Sequence, residues 1–69
     1  MVEVFKTNVP DQETADSILK ELLHLLPSAT INFDLEDRDK ILRIDCCGNF
    51  VEIVIPHMNK LGFHCEVLE

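Results

Sequence analysis

The sequence predicts a small α+β fold whose elements follow one another as strand, helix, strand, strand, helix, strand. Two segments carry apolar residues at every third or fourth position, which is typical of helices that bury one face. Four others are short and rich in β-branched residues, or alternate between apolar and polar side chains, as strands do. The chain of 69 residues is expected to form one domain over residues 1–69. Since 46% of its residues are apolar, a packed core is expected rather than disorder.

The first strand and the first helix are separated by a proline. The strand is predicted over residues 2–9, and Pro10 ends it because proline has no N–H for the ladder. Asp11 is the expected N-cap of the helix, with Thr14 as the alternative cap. Pro27 ends the helix. Its apolar face is expected to consist of Ala15, Ile18, Leu19, Leu22, Leu25 and Leu26.

The second and third strands form a predicted antiparallel hairpin. Residues 31–35 and residues 42–46 both alternate between apolar and polar side chains. The polar turn 36–40 lies between them, and a short turn of this kind joins strands that pair with each other. One face of the hairpin is therefore expected to be buried and the other exposed.

The second helix contains a proline, which leaves two interpretations open. Asn49 and Glu52 resemble a capping box at its start. Pro56 lies inside the pattern and removes a backbone hydrogen bond, so we expect either a kinked helix or a short helix beginning near Pro56. The residues that suit one apolar face are Phe50, Ile53, Val54, Met58 and Leu61.

The last strand completes the topology. Gly62 stands where a left-handed residue commonly ends a helix, and residues 63–68 then place Cys65 and Val67 on one face of a strand. Right-handed crossovers in two split βαβ units give a four-stranded antiparallel sheet in the order 4-1-3-2. Both helices lie on one face of this sheet, which makes the fold a ferredoxin-like βαββαβ sandwich.

With its strands and helices in this order and spacing, the chain resembles the heavy-metal-associated domain. This domain is the ferredoxin-like module of copper chaperones and metal-transporting ATPases. Residues 18–27 resemble the family's first helix and the Leu-Pro that ends it, although Ser28-Ala29 stands where Gly-Val is usual. Residues 31–36 resemble its second strand, "Val-x-Val-Asp-Leu-Glu". Residues 61–68 resemble its closing "Gly-Tyr-x-Ala-Glu-Val". The resemblance covers nearly the whole chain and implies the same fold.

The metal-binding motif of that family, "Gly-Met-x-Cys-x-x-Cys" at the head of the first helix, is substituted in this chain. Counting back from Ile18 and Leu22 places Asp11 and Thr14 at the two cysteine positions. Thiolates suit Cu(I) because they are soft ligands, whereas a carboxylate and a hydroxyl are hard ones. The usual loop is therefore expected to hold no Cu(I).

Two other places offer metal ligands. Cys46 and Cys47 are adjacent, but neighbouring side chains of a strand point to opposite faces, and this pair is expected at the pole of the sheet opposite the first loop. His64 is expected near the first loop, where it and Asp11 would suit Zn²⁺. For all of these a structural or solvated role is favoured over metal binding. Cys65 is expected to act as a small buried apolar residue.

Net charge and cysteine content limit the expected partners and the expected location of the protein. The formal net charge is −7, from 13 acidic and 6 basic residues, so neither nucleic acid nor an anionic membrane surface is an expected partner. A basic protein would be compatible with this charge. No apolar run approaches the roughly 20 residues that span a bilayer. Three cysteines without a disulfide-framework spacing predict free thiols in the cytoplasm.

The open face of the sheet, which no helix covers, is the predicted interaction surface. If Phe5 faces the helices, Val2 and Val4 lie on this open face. The opposite phase, which would exchange Val4 and Lys6 with Phe5, is also compatible with the pattern. Nearby apolar positions would be Ile41, Cys47 and Leu68. A protein partner or a homodimer is expected here, because exposed apolar groups on a sheet often mark a contact surface.

The sequence contains no set of nucleophile, base and orienting group at a suitable spacing, and no glycine-rich phosphate loop, so an enzyme is not expected. It predicts a non-enzymatic interaction or regulatory module of the heavy-metal-associated type, without a cofactor. The alternative is a metal-binding protein with a relocated site, at Cys46 and Cys47 or at Asp11 and His64.

Overall fold

The sheet is antiparallel, and the second, third, first and fourth strands of the chain lie side by side in it, which is the predicted order 4-1-3-2 read from the other edge. The computed structural model describes residues 1–68. Its elements are β1 (Val2–Thr7), α1 (Gln12–Leu25), β2 (Thr30–Asp34), β3 (Ile41–Asp45), α2 (Val51–Lys60) and β4 (Cys65–Val67). The predicted α+β ferredoxin-like sandwich is confirmed, and most element ends differ from the predicted ones by one or two residues.

The strand β1 decides which side chains face the helices. Phe5 is fully buried, and it pairs with Leu42 of β3 on one side and with Val67 of β4 on the other. Val4 and Lys6 point to the opposite face and are half-buried. The phase in which Phe5 faces the helices is confirmed, and the opposite phase is wrong.

One hydrophobic core lies between the sheet and the helices. Both helices contribute to it, α1 through Ile18 and Leu22 and α2 through Val54 and Met58, so both pack on the same face of the sheet as predicted. The buried apolar residues are Phe5, Val9, Ala15, Ile18, Leu22, Leu26, Ile31, Leu42, Ile44, Cys46, Phe50, Val54, Met58 and Cys65.

The helix α2 runs through Pro56 without beginning there. Its N-cap is Phe50, whose carbonyl accepts the Val54 N–H at 2.9 Å, and no side chain caps the helix. The predicted Asn49 cap is therefore wrong, because Phe50 is buried in the core and fixes the helix start one residue later. A helix beginning near Pro56 is also wrong. Burial of Val54 and Met58 stabilises by roughly 1.5–3 kcal/mol each, which offsets the cost of about 3 kcal/mol for an internal proline.

The end of α2 has the hydrogen bonds of a Schellman motif. The Gly62 N–H donates to the Asn59 carbonyl at 3.0 Å, and the Phe63 N–H donates to the Met58 carbonyl at 2.9 Å. Gly62 has φ +94°, a left-handed value that favours glycine, so its predicted place just after the helix is confirmed. The motif turns the chain back toward the sheet, and β4 begins at Cys65 rather than at residue 63.

The turn between β2 and β3 is tied to the end of β1 by Thr7. The Thr7 N–H donates to the Asp39 carbonyl at 3.0 Å, and its buried hydroxyl donates to the Lys40 carbonyl. The same hydroxyl accepts the Val9 N–H at 3.3 Å, which bends the chain and ends β1 at Thr7 instead of residue 9. Thr7 thereby fixes the first loop and the hairpin turn to one pole of the sheet.

Replacing Thr7 by Val should destabilise the fold by about 1–3 kcal/mol, because the Lys40 carbonyl and the buried Val9 N–H lose their partner. Thr7→Ser keeps the hydroxyl and is the matched control, with an expected loss of about 1 kcal/mol or less for one methyl group. Urea unfolding measures both variants. A Thr7→Val protein as stable as the wild type would contradict this role.

Candidate functional site

The first loop, which connects β1 to α1, ends in a helix cap formed by Asp11 and Thr14, the two residues that the resemblance predicts at the family's cysteine positions. Asp11 is the N-cap, with extended backbone at φ −151° and ψ 170°, and its Oδ1 accepts the Thr14 N–H at 2.8 Å. Its carbonyl accepts the Ala15 N–H at 3.0 Å, the first hydrogen bond of the helix. The predicted Asp11 cap is confirmed, and the alternative cap at Thr14 is wrong.

Hydrogen bonds from Thr14 also favour the ionised form of the Asp11 side chain. The side chain and the backbone N–H of Thr14 both hold the pKa of Asp11 below its ordinary value of 3.8, since they favour the ionised carboxyl. The negative charge lies at the N-terminus of α1, where the helix dipole favours it. The loop therefore presents hard oxygen atoms that are engaged in capping.

His64 lies beside the first loop, as predicted, through a backbone contact. Its N–H donates to Oδ1 of Asn8 at 2.8 Å. Its imidazole Nε2 lies 3.5 Å from Oε2 of Glu66, and both side chains are more than half exposed. Within residues 1–68, no three His, Cys, Asp or Glu side chains come together in a group that could hold a metal ion. His64 therefore lies beside the first loop as predicted, and its contact there is with Asn8 rather than with Asp11.

Cys46 and Cys47 follow β3 and point to opposite sides of the sheet. Cys46 is buried in the core and Cys47 is exposed, as the alternation predicted. The Cys46 N–H donates to the Met1 carbonyl at 3.0 Å, so the pair lies at the start of β1. At about 3.4 Å per residue, the six steps from Met1 to Thr7 separate this pole from the first loop by roughly 20 Å.

Cys65 is a buried thiol in β4, opposite Thr7 of β1. Burial and, to a smaller extent, the charge of the adjacent Glu66 together raise its pKa from 9.0 to about 11. The thiol is therefore protonated at neutral pH and packs as a small apolar group, as predicted. It is neither a soft-metal ligand nor a nucleophile in this state, since both need the thiolate.

The open face of the sheet carries a strip of aliphatic side chains. Val2 is 44% exposed and Leu68 is 41% exposed. Val4 and Ile41 are half-buried on the same face. The Leu68 N–H donates to the Val4 carbonyl at 2.8 Å, so Leu68 continues the face beyond the end of β4. The polar side chains of the open face are Lys6, Thr30, Asn32, Asp34, Arg43, Asp45 and Glu66.

The helical surface has features that sequence analysis missed. Leu25 and Ile53, assigned to the apolar faces of their helices, are 45% and 43% exposed. Both lie at the margin of the apolar stripe, and this marginal place in the periodicity is the signal that could have indicated their exposure.

His57 and Glu21 link the two helices, with Nε2 of His57 3.6 Å from Oε1 of Glu21. A shallow depression of about 320 Å³ lies on the outer side of α1, lined by Lys20, Leu23 and His24.

Replacing Asp11 by Ala should lower the urea midpoint of unfolding at about pH 7, because the Thr14 N–H loses its acceptor. The folded-state pKa of Asp11 is depressed, so its contribution is present above 3.8 and is lost as the pH falls through the folded value. The wild type and Asp11→Ala should therefore converge below that pH. Glu36→Ala, at an exposed carboxylate of the hairpin turn, is the control. An unchanged midpoint in Asp11→Ala would refute the cap.

The Cys65 thiol should make the fold less stable at alkaline pH. Between 9.0 and about 11 the unfolded chain releases the thiol proton while the folded chain keeps it, so stability falls as the pH rises. The shift corresponds to roughly 3 kcal/mol at most. Unfolding curves of the wild type and Cys65→Ala across this range measure it, and the difference between them should shrink as the pH rises. Parallel curves would contradict the buried, protonated thiol.

Comparison with family models, with curated proteins and with solved structures gives no match to this chain. The resemblance to the heavy-metal-associated domain therefore rests on the sequence segments quoted above and on the common fold class. Among the described residues, no helix is long and apolar enough to cross a membrane.

Proposed function

We propose that this chain is a domain of the heavy-metal-associated type that holds no soft metal in its first loop and serves as a small, non-enzymatic interaction or regulatory module. The observation that carries the proposal is the cap formed by Asp11 and Thr14. It occupies the two positions that correspond to the family's cysteines. The module needs no cofactor in this proposal.

The chemistry of the cap supports the loss of metal binding. Cu(I) selects soft thiolate ligands, and the loop offers a carboxylate and a hydroxyl instead. The Asp11 carboxylate is also held by the Thr14 N–H at 2.8 Å, so a cation would compete with the helix for this oxygen. A structural role for the pair accounts for both side chains.

The open face of the sheet is the proposed contact surface, for a protein partner or for a second copy of the chain. Its support is the exposure of Val2 and Leu68 beside the half-buried Val4. The net charge of −7 disfavours nucleic acids and anionic membranes as partners. The proposal places the domain in the cytoplasm, in accord with three free thiols.

A relocated metal site is the alternative and has less support. Cys46 and Cys47 lie on opposite sides of the sheet, and the thiol of Cys46 is in the core. His64 has Glu66 as its near carboxylate. Among residues 1–68, neither place offers the three or four converging ligands that hold Zn²⁺ in most protein sites.

Titration with Cu(I) and with Zn²⁺, followed through the backbone amide NMR shifts, tests the proposal. We expect no stoichiometric binding and no specific shift of residues 8–15 with either ion. Tight, stoichiometric Cu(I) binding that shifts these residues would overturn it. Binding that is abolished by the double substitution Cys46→Ser and Cys47→Ser would establish the relocated site instead.

A gain of function provides the matched control for that titration. The double variant Asp11→Cys and Thr14→Cys places two thiols at the head of α1, where the helix dipole lowers thiol pKa values. It should bind one Cu(I) and shift residues 8–15. If it binds no Cu(I), the alignment of the loop with the family motif is wrong.

A further inference from the structure

The strand β2 lies at the edge of the sheet, and the hydrogen bonds of β3 show which of its backbone groups are free. The Cys46 N–H donates to the Met1 carbonyl, so every second residue of β3 counted from Cys46 bonds to β1. The residues between them bond to β2. Arg43 is one of these and is paired with Asn32, so Asn32 directs its N–H and its carbonyl toward β3.

The two neighbours of Asn32 in β2 direct their backbone groups away from the sheet. These neighbours are Ile31 and Phe33, and no group of residues 1–68 outside the sheet is hydrogen-bonded to their backbone. The five residues of β2 include no proline and no lysine, which are the residues that commonly protect an edge. The other edge strand, β4, has three residues, and shortness is itself such a protection. The edge at β2 is therefore open to another strand.

A leucine of α1 is exposed above the same edge. Because α1 contacts β2 and α2 contacts β4, α1 lies on the β2 side of the helical layer. Glu21 points toward α2, where it meets His57. Leu23 lies about 200° around the helix from Glu21 and so faces away from α2, and it is 38% exposed. An occupant that covers both this edge and Leu23 needs a second layer above its own strand.

The sequence of β2 is complementary to itself in an antiparallel pair. With a two-fold axis perpendicular to the sheet beside Asn32, Ile31 of each copy lies opposite Phe33 of the other. Each of these two pairs exchanges two hydrogen bonds, and an aliphatic side chain packs beside an aromatic one on the helical face. On the opposite face Thr30 lies beside Asp34 of the other copy. The Thr30 hydroxyl can donate to this carboxylate, which has no ion-pair partner among residues 1–68.

We propose that two copies of the chain form a dimer through β2, so that their four-stranded sheets join into one continuous sheet. Both helical layers then lie on the same face, and α1 of each copy covers Leu23 of the other. A single peptide strand would pair with the same backbone groups but would leave Leu23 exposed. The net charge of −7 on each chain opposes association, and salt near 0.15 M screens these charges beyond about 8 Å. The inference goes beyond the proposed function, because the first loop and the open face take no part in this contact.

Amide hydrogen exchange followed by NMR over a series of protein concentrations tests the dimer. The N–H groups of Ile31 and Phe33 should become protected as the concentration rises, while light scattering reports the mass of a dimer. The N–H groups of Cys65 and Val67 are the internal control. They point out of the sheet at the opposite edge, since the Leu68 N–H bonds to β1, and their exchange should not depend on concentration.

A lysine on the two-fold axis should separate the two copies. Asn32 is exposed, and Asn32→Lys places two ammonium groups beside each other across the axis, so the Kd of the dimer should rise about ten-fold or more. Asn59→Lys makes the same substitution at an exposed position of α2 and should leave the Kd unchanged. An equal mixture of Asn32→Lys and Asn32→Asp should associate again, because opposite charges then meet on the axis.

Other results would contradict the dimer. A protein that stays monomeric at millimolar concentration, with unchanged exchange at Ile31 and Phe33, would overturn the inference. A dimer that tolerates Asn32→Lys, or that protects Cys65 and Val67 instead, would also overturn it and would place the contact elsewhere. None of these results depends on the Cu(I) titration, so failure of the dimer is distinguishable from failure of the proposed function.

Discussion

The two-residue alternation of β1 is the constraint on which the rest of the structure depends. This strand lies inside the sheet, between β3 and β4, so its inward residues anchor the core and its outward residues lie at the middle of the open face. Phe5 fills the core beneath the helices, and Thr7 ties the hairpin turn to the same pole as the first loop. A slip of one residue would bury Lys6 and expose Phe5, which is unfavourable on both faces.

The sequence predicted what depends on the periodicity of burial, and it missed what depends on particular contacts. The inward direction of Cys46 and the Asp11 cap follow from local patterns that burial or a backbone hydrogen bond enforces, and the strand order follows from the handedness of the crossovers. The start of α2 does not follow from a local pattern, because it depends on how deeply Phe50 packs in the core. Leu25 is exposed for a similar reason, since the width of a buried helix stripe depends on what packs against the helix.

The net charge of the chain and the charges on its open face give different expectations about how the protein meets a partner. Thirteen acidic residues dominate the total, yet many of them lie in the hairpin turn and on the exposed sides of the helices. The open face instead carries both signs of charge, and neither Arg43 nor Asp34 has an ion-pair partner among residues 1–68. Contacts at a docking surface are decided within a few ångströms, because salt screens charges beyond about 8–10 Å.

A capped helix N-terminus and a thiolate metal site draw on the same backbone groups. The first N–H groups of a helix have no partner within the helix, and they can be satisfied by a side-chain oxygen or directed toward a bound anion. In this chain the Thr14 N–H is already bonded to Asp11. Thiolates at these positions would remove that acceptor. The first turn of the helix would then depend on a bound metal ion for part of the stabilisation that the cap supplies. Asp11 therefore satisfies the head of α1 with a side-chain oxygen, which in our proposal is the remaining task of this loop.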